Sequence, residues 1–428
     1  MRRVHRTSLF LIMKNIYAKY LEHPQICTDT RNIVPGCIFF CLKGERFDGN
    51  RFALNALENG AAYVITENQD LRNNEYCFVV EDSLKTLQDL AAYHRQQLSI
   101  PIIGVTGTNG KTTTKELIAT VLSQKFQTAY TKGNLNNHIG VPLTLLSIKP
   151  TDEIAIVEMG ANHPGEIEFL CNIAQPVFGV ITNIGKAHIE GFGSVEEIIN
   201  TKKALYRTVI RNQGTLFTNV NDKILRQDLD YDKVVFYAEG GEDNIVSMSP
   251  YLKISLVNHI VDTHLTGSYN IYNMLAAAAI GNYFGVPDEQ IAHALHEYQP
   301  SNHRSQVNNI GSNIIISDYY NANPTSMEAA IRNLAKLEHP HKIAILGDML
   351  ELGSVSYDEH KHILELCQNL GIEAWFVGSE FAKHQPQHSF ANVEVLNQVL
   401  QQHPIENSMV LVKGSNGIHL DRLSALLS

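Results

Sequence analysis

The chain has 428 residues, 44% of them hydrophobic and 18% charged, with 34 Lys plus Arg against 44 Asp plus Glu for a formal net charge of −10. That apolar content excludes a disordered chain, and the acidic balance argues against general binding of nucleic acid, whose phosphates reward Lys and Arg. No apolar run approaches the roughly 20 residues that span a bilayer, and at about 100–200 residues per domain the length allows two to four domains.

Six cysteines, Cys27, Cys37, Cys41, Cys77, Cys171 and Cys367, form no CxxC pair. They read as buried reduced thiols of a cytoplasmic protein. The apolar stretch over residues 9–13 is too short for the core of a signal peptide. Residues 1–12 therefore read as an extension, with Met13 as an alternative initiator.

Along the chain, short β-rich runs alternate with helical patterns, which predicts an α/β fold. A strand is expected within 36–42, a helix over 52–59, strands at 61–65 and 77–80, and a helix over 83–97. Pro101 opens the strongest strand pattern, at 102–106, so a domain boundary falls near Ser99. Further strands are expected at 154–158, 177–182 and 214–218, and a helix from near Tyr269 carries the alanine run 276–279. Residues 299–305 have little regular pattern and read as a connector. A fresh series follows, in which 314–316 leads into Asp318, 343–346 into Gly347 and Asp348, 375–377 into Gly378, and 409–412 into Lys413 and Gly414. Open α/β sheets bind ligands at such strand ends. The expected layout is three domains, 1–98, 99–307 and 308–428.

Thr106, Gly107, Thr108, Asn109, Gly110, Lys111 and Thr112 follow the strand at 102–106 and precede a helical pattern with Leu117, Ile118, Val121 and Leu122 on one face. This is the context of a phosphate loop. Glycines let backbone N–H groups turn toward phosphate oxygens, and the helix N-terminus adds its positive dipole end. Lys111 would neutralise terminal phosphates and the Thr112 hydroxyl would hold Mg²⁺. The usual spacing asks for glycine at 105, where this chain has Val105. Lys115 reads as a solvated helix residue.

Glu158, ending a strand near this loop, is a Mg²⁺ ligand candidate, with a plain surface carboxylate as the alternative. His188, after the strand at 177–182, is a candidate metal ligand or base, set against a structural role among nineteen histidines. These residues by themselves point to a Mg·ATP enzyme of unknown acceptor.

Together the motifs resemble the Mur ligase family of cell-wall synthesis, over nearly the whole chain. The stretch 106–112 is similar to that family's phosphate loop, including the missing first glycine. Glu158 to Ala161 resembles its acidic strand end, Asn183 to His188 its histidine motif, and Gly267 to Asn273 its adenine-side motif, with Tyr269 where the family often has His. Thr28 to Arg31 and Leu42 to Gly49 resemble its uridine-nucleotide domain. Residues 133–142, with His138 where Glu is frequent, together with 318–324 and 346–353, resemble the members that add D-alanyl-D-alanine.

The resemblance implies three domains: an amino-terminal uridine-nucleotide-binding α/β domain, a central P-loop ATPase-type domain with a mainly parallel sheet, and a carboxyl-terminal Rossmann-like α/β domain. It implies ATP-dependent joining of D-alanyl-D-alanine to UDP-N-acetylmuramoyl-tripeptide through an acyl phosphate, giving the pentapeptide, ADP and phosphate. A sister ligase adding a single amino acid, or a nucleotide-dependent switch without ligation, is the alternative. ATP, two Mg²⁺ ions and a lysine carbamylated by CO₂ are implied, with Lys202 favoured over Lys203. Neither nucleic acid nor stable membrane insertion is expected, and the chain is expected to be a monomer.

Roles follow from the same resemblance. Gly107, Thr108, Asn109, Gly110, Lys111, Thr112 and Thr113 would hold the nucleotide phosphates. Thr112 and Glu158 would hold the first metal, and His188 with Lys202 the second. Asn270 and Asn273 would contact the adenine side, Arg304 the phosphates on domain closure, and Asp318 the ribose. Thr30, Arg31, Lys43 and Asp48 would form much of the uridine diphosphate site, with Asn134, Asn136 and Asn137 lining the path to the peptide. Asn321 and Asn323 are candidates for the dipeptide side.

Overall fold

Three mainly parallel sheets follow one another along the chain, each made from the short β-branched runs of the sequence. The structure is a computed structural model, and it describes residues 2–45, 47–227, 229–256, 258–300 and 304–427, with the backbone alone over residues 2–10. Residues 301–303, within the expected connector, lie outside the described residues.

In the first sheet Ile26–Cys27, Ile38–Phe40, Tyr63–Thr66 and Cys77–Val79 lie in that order, all parallel. The central sheet runs Val234–Tyr237, Thr215–Asn219, Phe178–Ile181, Ile102–Thr106, Ile154–Glu158, Thr128–Tyr130, again all parallel. Every residue of Ile102–Thr106 and Ile154–Glu158 is buried, as befits parallel strands covered on both faces. The third sheet runs Gln306–Ile310, Asn313–Asp318, Met409–Lys413, Lys342–Gly347, Glu373–Val377, Ser389–Phe390, with only the first strand antiparallel. That first strand crosses the expected boundary at 307/308. Because it pairs along its whole length with Asn313–Asp318, the break between the sheets falls before Gln306.

The apolar cores divide the molecule unequally. One core joins Leu87 and Leu90 of the amino-terminal helix Ser83–Gln97 to Val141, Leu145 and Leu146 of the central part. Ile16 and Tyr20 of the helix Arg2–Glu22 enter the same core. At about 1.5–3 kcal/mol for each fully buried large apolar side chain, this contact welds the first two parts together. The two cores of the third sheet are drawn wholly from residues beyond 306. Polar contacts between the carboxyl-terminal part and the rest include Asn323 with Asn109, Glu359 with Lys186 and Glu351 with His188. The chain patterning gave no notice of the three-stranded antiparallel sheet Ile245–Ser247, Lys253–Leu256, His259–Asp262. Among the described residues, no helix is long and apolar enough to cross a membrane.

Candidate active site

Strand register brings three chain segments to one edge of the central sheet. Val105 pairs with Glu158 and Thr106 with Ile181. The loop after Thr106, the Glu158 carboxylate and the segment after Ile181 are thus neighbours. The loop requires its two glycines. Gly107 has φ +149°, and a Cβ there would stand 1.9 Å from Thr182 Oγ1; Gly110 has φ +77°, and its Cβ would stand 2.7 Å from Asn273 Oδ1. The helix Lys111–Leu122 opens with no side-chain cap, which leaves its first N–H groups for an anion.

Lys111 is half-buried, and its ammonium donates to the carbonyls of Gly107 and Thr108, both at 2.9 Å. Desolvation lowers its pKa to about 8; Glu158 opposes the fall and Arg304 adds to it. Lys202, 3% exposed, donates to the same Gly107 carbonyl at 3.0 Å. Burial, then the charge of Lys111, holds its pKa well below the ordinary lysine value. Lys203 turns away and donates to the Gln227 carbonyl at 3.1 Å.

Glu158 is fully buried. Its Oε1 accepts from Asn136 Nδ2 at 2.8 Å and from Thr112 Oγ1 at 3.1 Å. Its Oε2 has no hydrogen-bond partner among the described residues. An orphaned buried carboxylate oxygen is costly, and here it sits beside a hydroxyl, a donor pair that fits a hard cation. His188 lines the same cavity. Among the described residues no three His, Cys, Asp or Glu side chains cluster as a metal cage.

The solvated reading of Lys115 is overturned. Its side chain is fully buried, donates to the Thr131 carbonyl at 2.8 Å and lies 3.9 Å from Glu158 Oε2. The helix face toward Glu158 is an interior one, and a cation is tolerated there because two carboxylates, Glu116 and Glu158, surround it.

Lys111, Asn136, Glu158 and His188, but not Thr112, Lys115 or Lys202, line a cavity of about 650 Å³ closed on its far side by residues of the third sheet. There Asp318 and Lys413 end neighbouring strands in register and form an ion pair at 2.7 Å. Ser305 N donates to Asp318 Oδ1 at 3.2 Å, and the Tyr269 hydroxyl meets Ser305 Oγ at 2.8 Å. Burial and then Asp318 raise the Tyr269 pKa. Arg304 stacks over the Tyr320 ring at 3.9 Å. Lys413, 2% exposed, is a cavity residue that sequence reasoning placed at a strand end without a role. Its place beside Asp318 is revealed only by the strand order.

The remaining expected residues sort by contact. Thr108, Asn109, Gly110 and Thr113 line the cavity. Asn273 accepts from Thr114 Oγ1 at 3.0 Å and donates to Asn270 Oδ1 at 2.8 Å, so the pair braces the loop from beneath while both line the cavity. Asn136 grips Glu158, and Asn137 accepts from Gly140 N at 2.9 Å to open the helix Gly140–Leu146. Asn134 is exposed and lines no cavity described here. Asn321 folds back on Ala322 N at 2.8 Å. Asn323 caps the helix Pro324–Lys336 and exchanges side-chain hydrogen bonds with Asn109, at 2.7 and 3.4 Å.

Lys43 and Asp48 pair across a two-stranded hairpin and line a second cavity of about 300 Å³ with Asn50, Arg51, Glu67 and Asn68. Thr30 and Arg31 stand outside that lining. Arg31 is turned onto Asp29, and its guanidinium holds the Asp29 carboxyl down at about 2.

Comparison with known proteins matches residues 24–100 to the family description "Mur ligase family, catalytic domain", 105–281 to "Mur ligase middle domain" and 303–416 to "Mur ligase, glutamate ligase domain". The chain is 34% identical to the UDP-N-acetylmuramoyl-tripeptide--D-alanyl-D-alanine ligase of Bacillus subtilis, over 93% of this chain and 92% of that one. It is 34% identical to the Escherichia coli enzyme of the same name, over 81% and 79%. Among solved structures, MurF from Acinetobacter baumannii superposes with TM-score 0.82 at 32% identity, covering 94% of this chain and 92% of that one. MurF from Thermotoga maritima in complex with ADP gives TM-score 0.80 at 28% identity, covering 93% and 96%.

Proposed function

The chain belongs to the Mur ligase family, and on that premise we propose that it joins D-alanyl-D-alanine to UDP-N-acetylmuramoyl-tripeptide with conversion of ATP to ADP and phosphate. The observation that carries this reading is the cavity shared by two parts of the chain. It holds a phosphate loop and Glu158 on one wall, and Asp318 with Lys413 on the other. Near-complete alignment with ligases of that name supports the choice of acceptor.

The tripeptide carboxylate is a poor electrophile, because an oxide would have to leave. Attack of a carboxylate oxygen on the γ-phosphorus gives an acyl phosphate and ADP. The dipeptide amine then adds to the acyl carbon, loses its proton, and expels phosphate as the C–O bond breaks. Bringing two anions together makes charge neutralisation the main task. The loop N–H groups and Lys111 bind the β- and γ-phosphates. Asn270 and Asn273 face the adenine side, Arg304 the phosphates and Asp318 the ribose. Asn321 and Asn323 lie toward the acceptor, and Lys43 and Asp48 mark the uridine diphosphate end, with Thr30 and Arg31 at its margin. Bound Mg²⁺ supplies Lewis-acid stabilisation of phosphoryl and acyl oxygens, with Thr112 and Glu158 to hold one ion and His188 and Lys202 the other. Burial beside Lys111 favours the neutral Lys202 amine. That amine adds to CO₂ with loss of a proton and becomes a carbamate, a carboxylate-like ligand. Lys203, turned outward, has no such surroundings.

We place the activity in the cytoplasm, where nucleotide substrates are found. We propose a monomer with parts 1–98, 99–305 and 306–428. The deciding experiment measures phosphate release from Mg·ATP with the UDP-tripeptide, comparing D-alanyl-D-alanine, D-alanine, L-lysine, diaminopimelate and no acceptor. Release that needs both tripeptide and dipeptide is expected. Release with a single amino acid, or without any acceptor, would overturn the reading.

A further inference from the structure

The segment bearing His188 is gripped from outside its own sheet. Lys186 Nζ donates to Glu359 Oε1 at 2.9 Å, Glu190 N donates to the Glu351 carbonyl at 3.4 Å, and the Glu351 carboxylate faces His188 Nδ1. The fit is close, since a Cβ on Gly353 would stand 3.2 Å from Glu190 Cβ. Glu351 itself has φ +63°, a backbone state that non-glycine residues keep only when their surroundings impose it. Those surroundings are visible. Leu350 N donates to Ser415 Oγ at 2.9 Å, and the buried Asp348 carboxylate accepts from Glu380 N at 2.8 Å and Phe381 N at 3.0 Å. The turn is thereby fixed to the third sheet. Glu351 does not line the main cavity, whereas His188 does.

We propose that Glu351 is a positioning residue for His188, by which the carboxyl-terminal part fixes the imidazole through Nδ1 and leaves Nε2 for the cavity. This rests on the reading of His188 as a metal ligand. Ligating histidines commonly donate their second ring N–H to a carboxylate, which fixes tautomer and ring orientation. Here that carboxylate comes from a part of the chain with a separate apolar core. Docking of that part and orientation of the ligand are therefore one event, so the central part alone holds a ring that is free to turn.

The test uses the full-length chain with Glu351→Ala, Glu351→Gln and Glu359→Gln. Mn²⁺ binding is read by electron paramagnetic resonance with a non-hydrolysable ATP analogue, alongside kcat and KM for ATP. Glu351→Ala is expected to weaken Mn²⁺ binding about 10–100-fold and to lower kcat to a similar extent, while KM for ATP changes little. Glu351→Gln, which keeps an acceptor for Nδ1–H, recovers part of both losses. Glu359→Gln, which removes only the Lys186 ion pair, leaves both near the parent values. In a His188→Ala background, Glu351→Ala adds no further loss of Mn²⁺ affinity. Parent-like Mn²⁺ affinity and kcat in Glu351→Ala would overturn the proposal, as would equal losses in Glu359→Gln or a full further loss in the double variant. Mn²⁺ binding needs no acceptor, so a failure of dipeptide-dependent phosphate release would count against the ligase reading and leave this one standing.

Discussion

The Nζ atoms of Lys111 and Lys202 converge on one acceptor, the carbonyl of Gly107, at 2.9 and 3.0 Å. Burial and the charge of Lys111 disfavour a second cation at this point, which is why the Lys202 amine is held toward its neutral form. Turning Lys202 into a carbamate would place a negative charge at that point. Lys202→Ala should therefore lower ligase turnover about 100-fold or more, with partial restoration by added acetate. Lys203→Ala should retain turnover within about two-fold. Rescue confined to Lys203→Ala would move the modification to Lys203.

Asn323 does two jobs with two ends of one amide. Its Oδ1 accepts from Ser326 N at 2.9 Å, and its Nδ2 donates to Asn109 Oδ1 at 2.7 Å. Asn323→Asp keeps the cap and loses the donor. It should melt near the parent temperature but turn over more slowly. Asn323→Ala should lose about 1 kcal/mol of stability as well. Thermal melts and steady-state kinetics on both variants separate the two roles. Parent-like turnover in Asn323→Asp would remove the cross-domain role.

Lys115 provides a stability test of its burial. A solvated lysine can be truncated for less than about 0.5 kcal/mol. Lys115→Ala here leaves Glu116 and Glu158 without their buried cation and should cost about 2–4 kcal/mol. Urea unfolding measures the difference.

Arg304 stacks on Tyr320 and faces the cavity from the connector. If closure brings the connector to the phosphates, Arg304→Ala should lower kcat by more than it weakens ATP binding in the absence of the other substrates. Equal losses in both would argue against that coupling.

His94 ties the first helix to the body of the protein. Its Nδ1 lies 3.2 Å from the Tyr17 hydroxyl, and Tyr20 donates to the Leu146 carbonyl at 2.8 Å beside it. Burial holds the His94 pKa below its ordinary 6.5, with a smaller opposing effect from the Ile148 backbone. Above pH 6.5 both folded and unfolded chains carry it neutral. As pH falls below that, the unfolded chain takes up a proton first, so stability is lost toward the lower folded value. The urea midpoint should fall from pH 7 to pH 5, and His94→Phe should flatten that fall. An unchanged slope in the variant would show that His94 contributes nothing to it.

Much of the machinery was legible along the chain because it is local. The phosphate loop is a strand, a glycine turn and a helix in immediate succession, and residues 102–122 carry all three. Glu158 and Asp318 announce themselves as polar residues at the ends of apolar runs. Lys115 was misread because helical periodicity gives the faces of a helix but not which face meets another buried charge. Thr30 and Arg31 were grouped with Lys43 and Asp48 by resemblance, yet Arg31 is turned onto Asp29.

By itself, then, the sequence determined the α/β class, the strands that carry the site, and the succession of strand, glycine turn and helix that reads as a phosphate loop. Each depends on residues within one turn or one strand of each other. Tertiary structure alone decided that Lys202 and not Lys203 points at Gly107, that Lys413 stands beside Asp318, that Asn323 reaches Asn109, and that Glu351 meets His188. Strand order and domain docking set those distances. Neither leaves a periodicity in the chain, because a sheet's neighbours are chosen by packing across its faces and not by separation along the backbone.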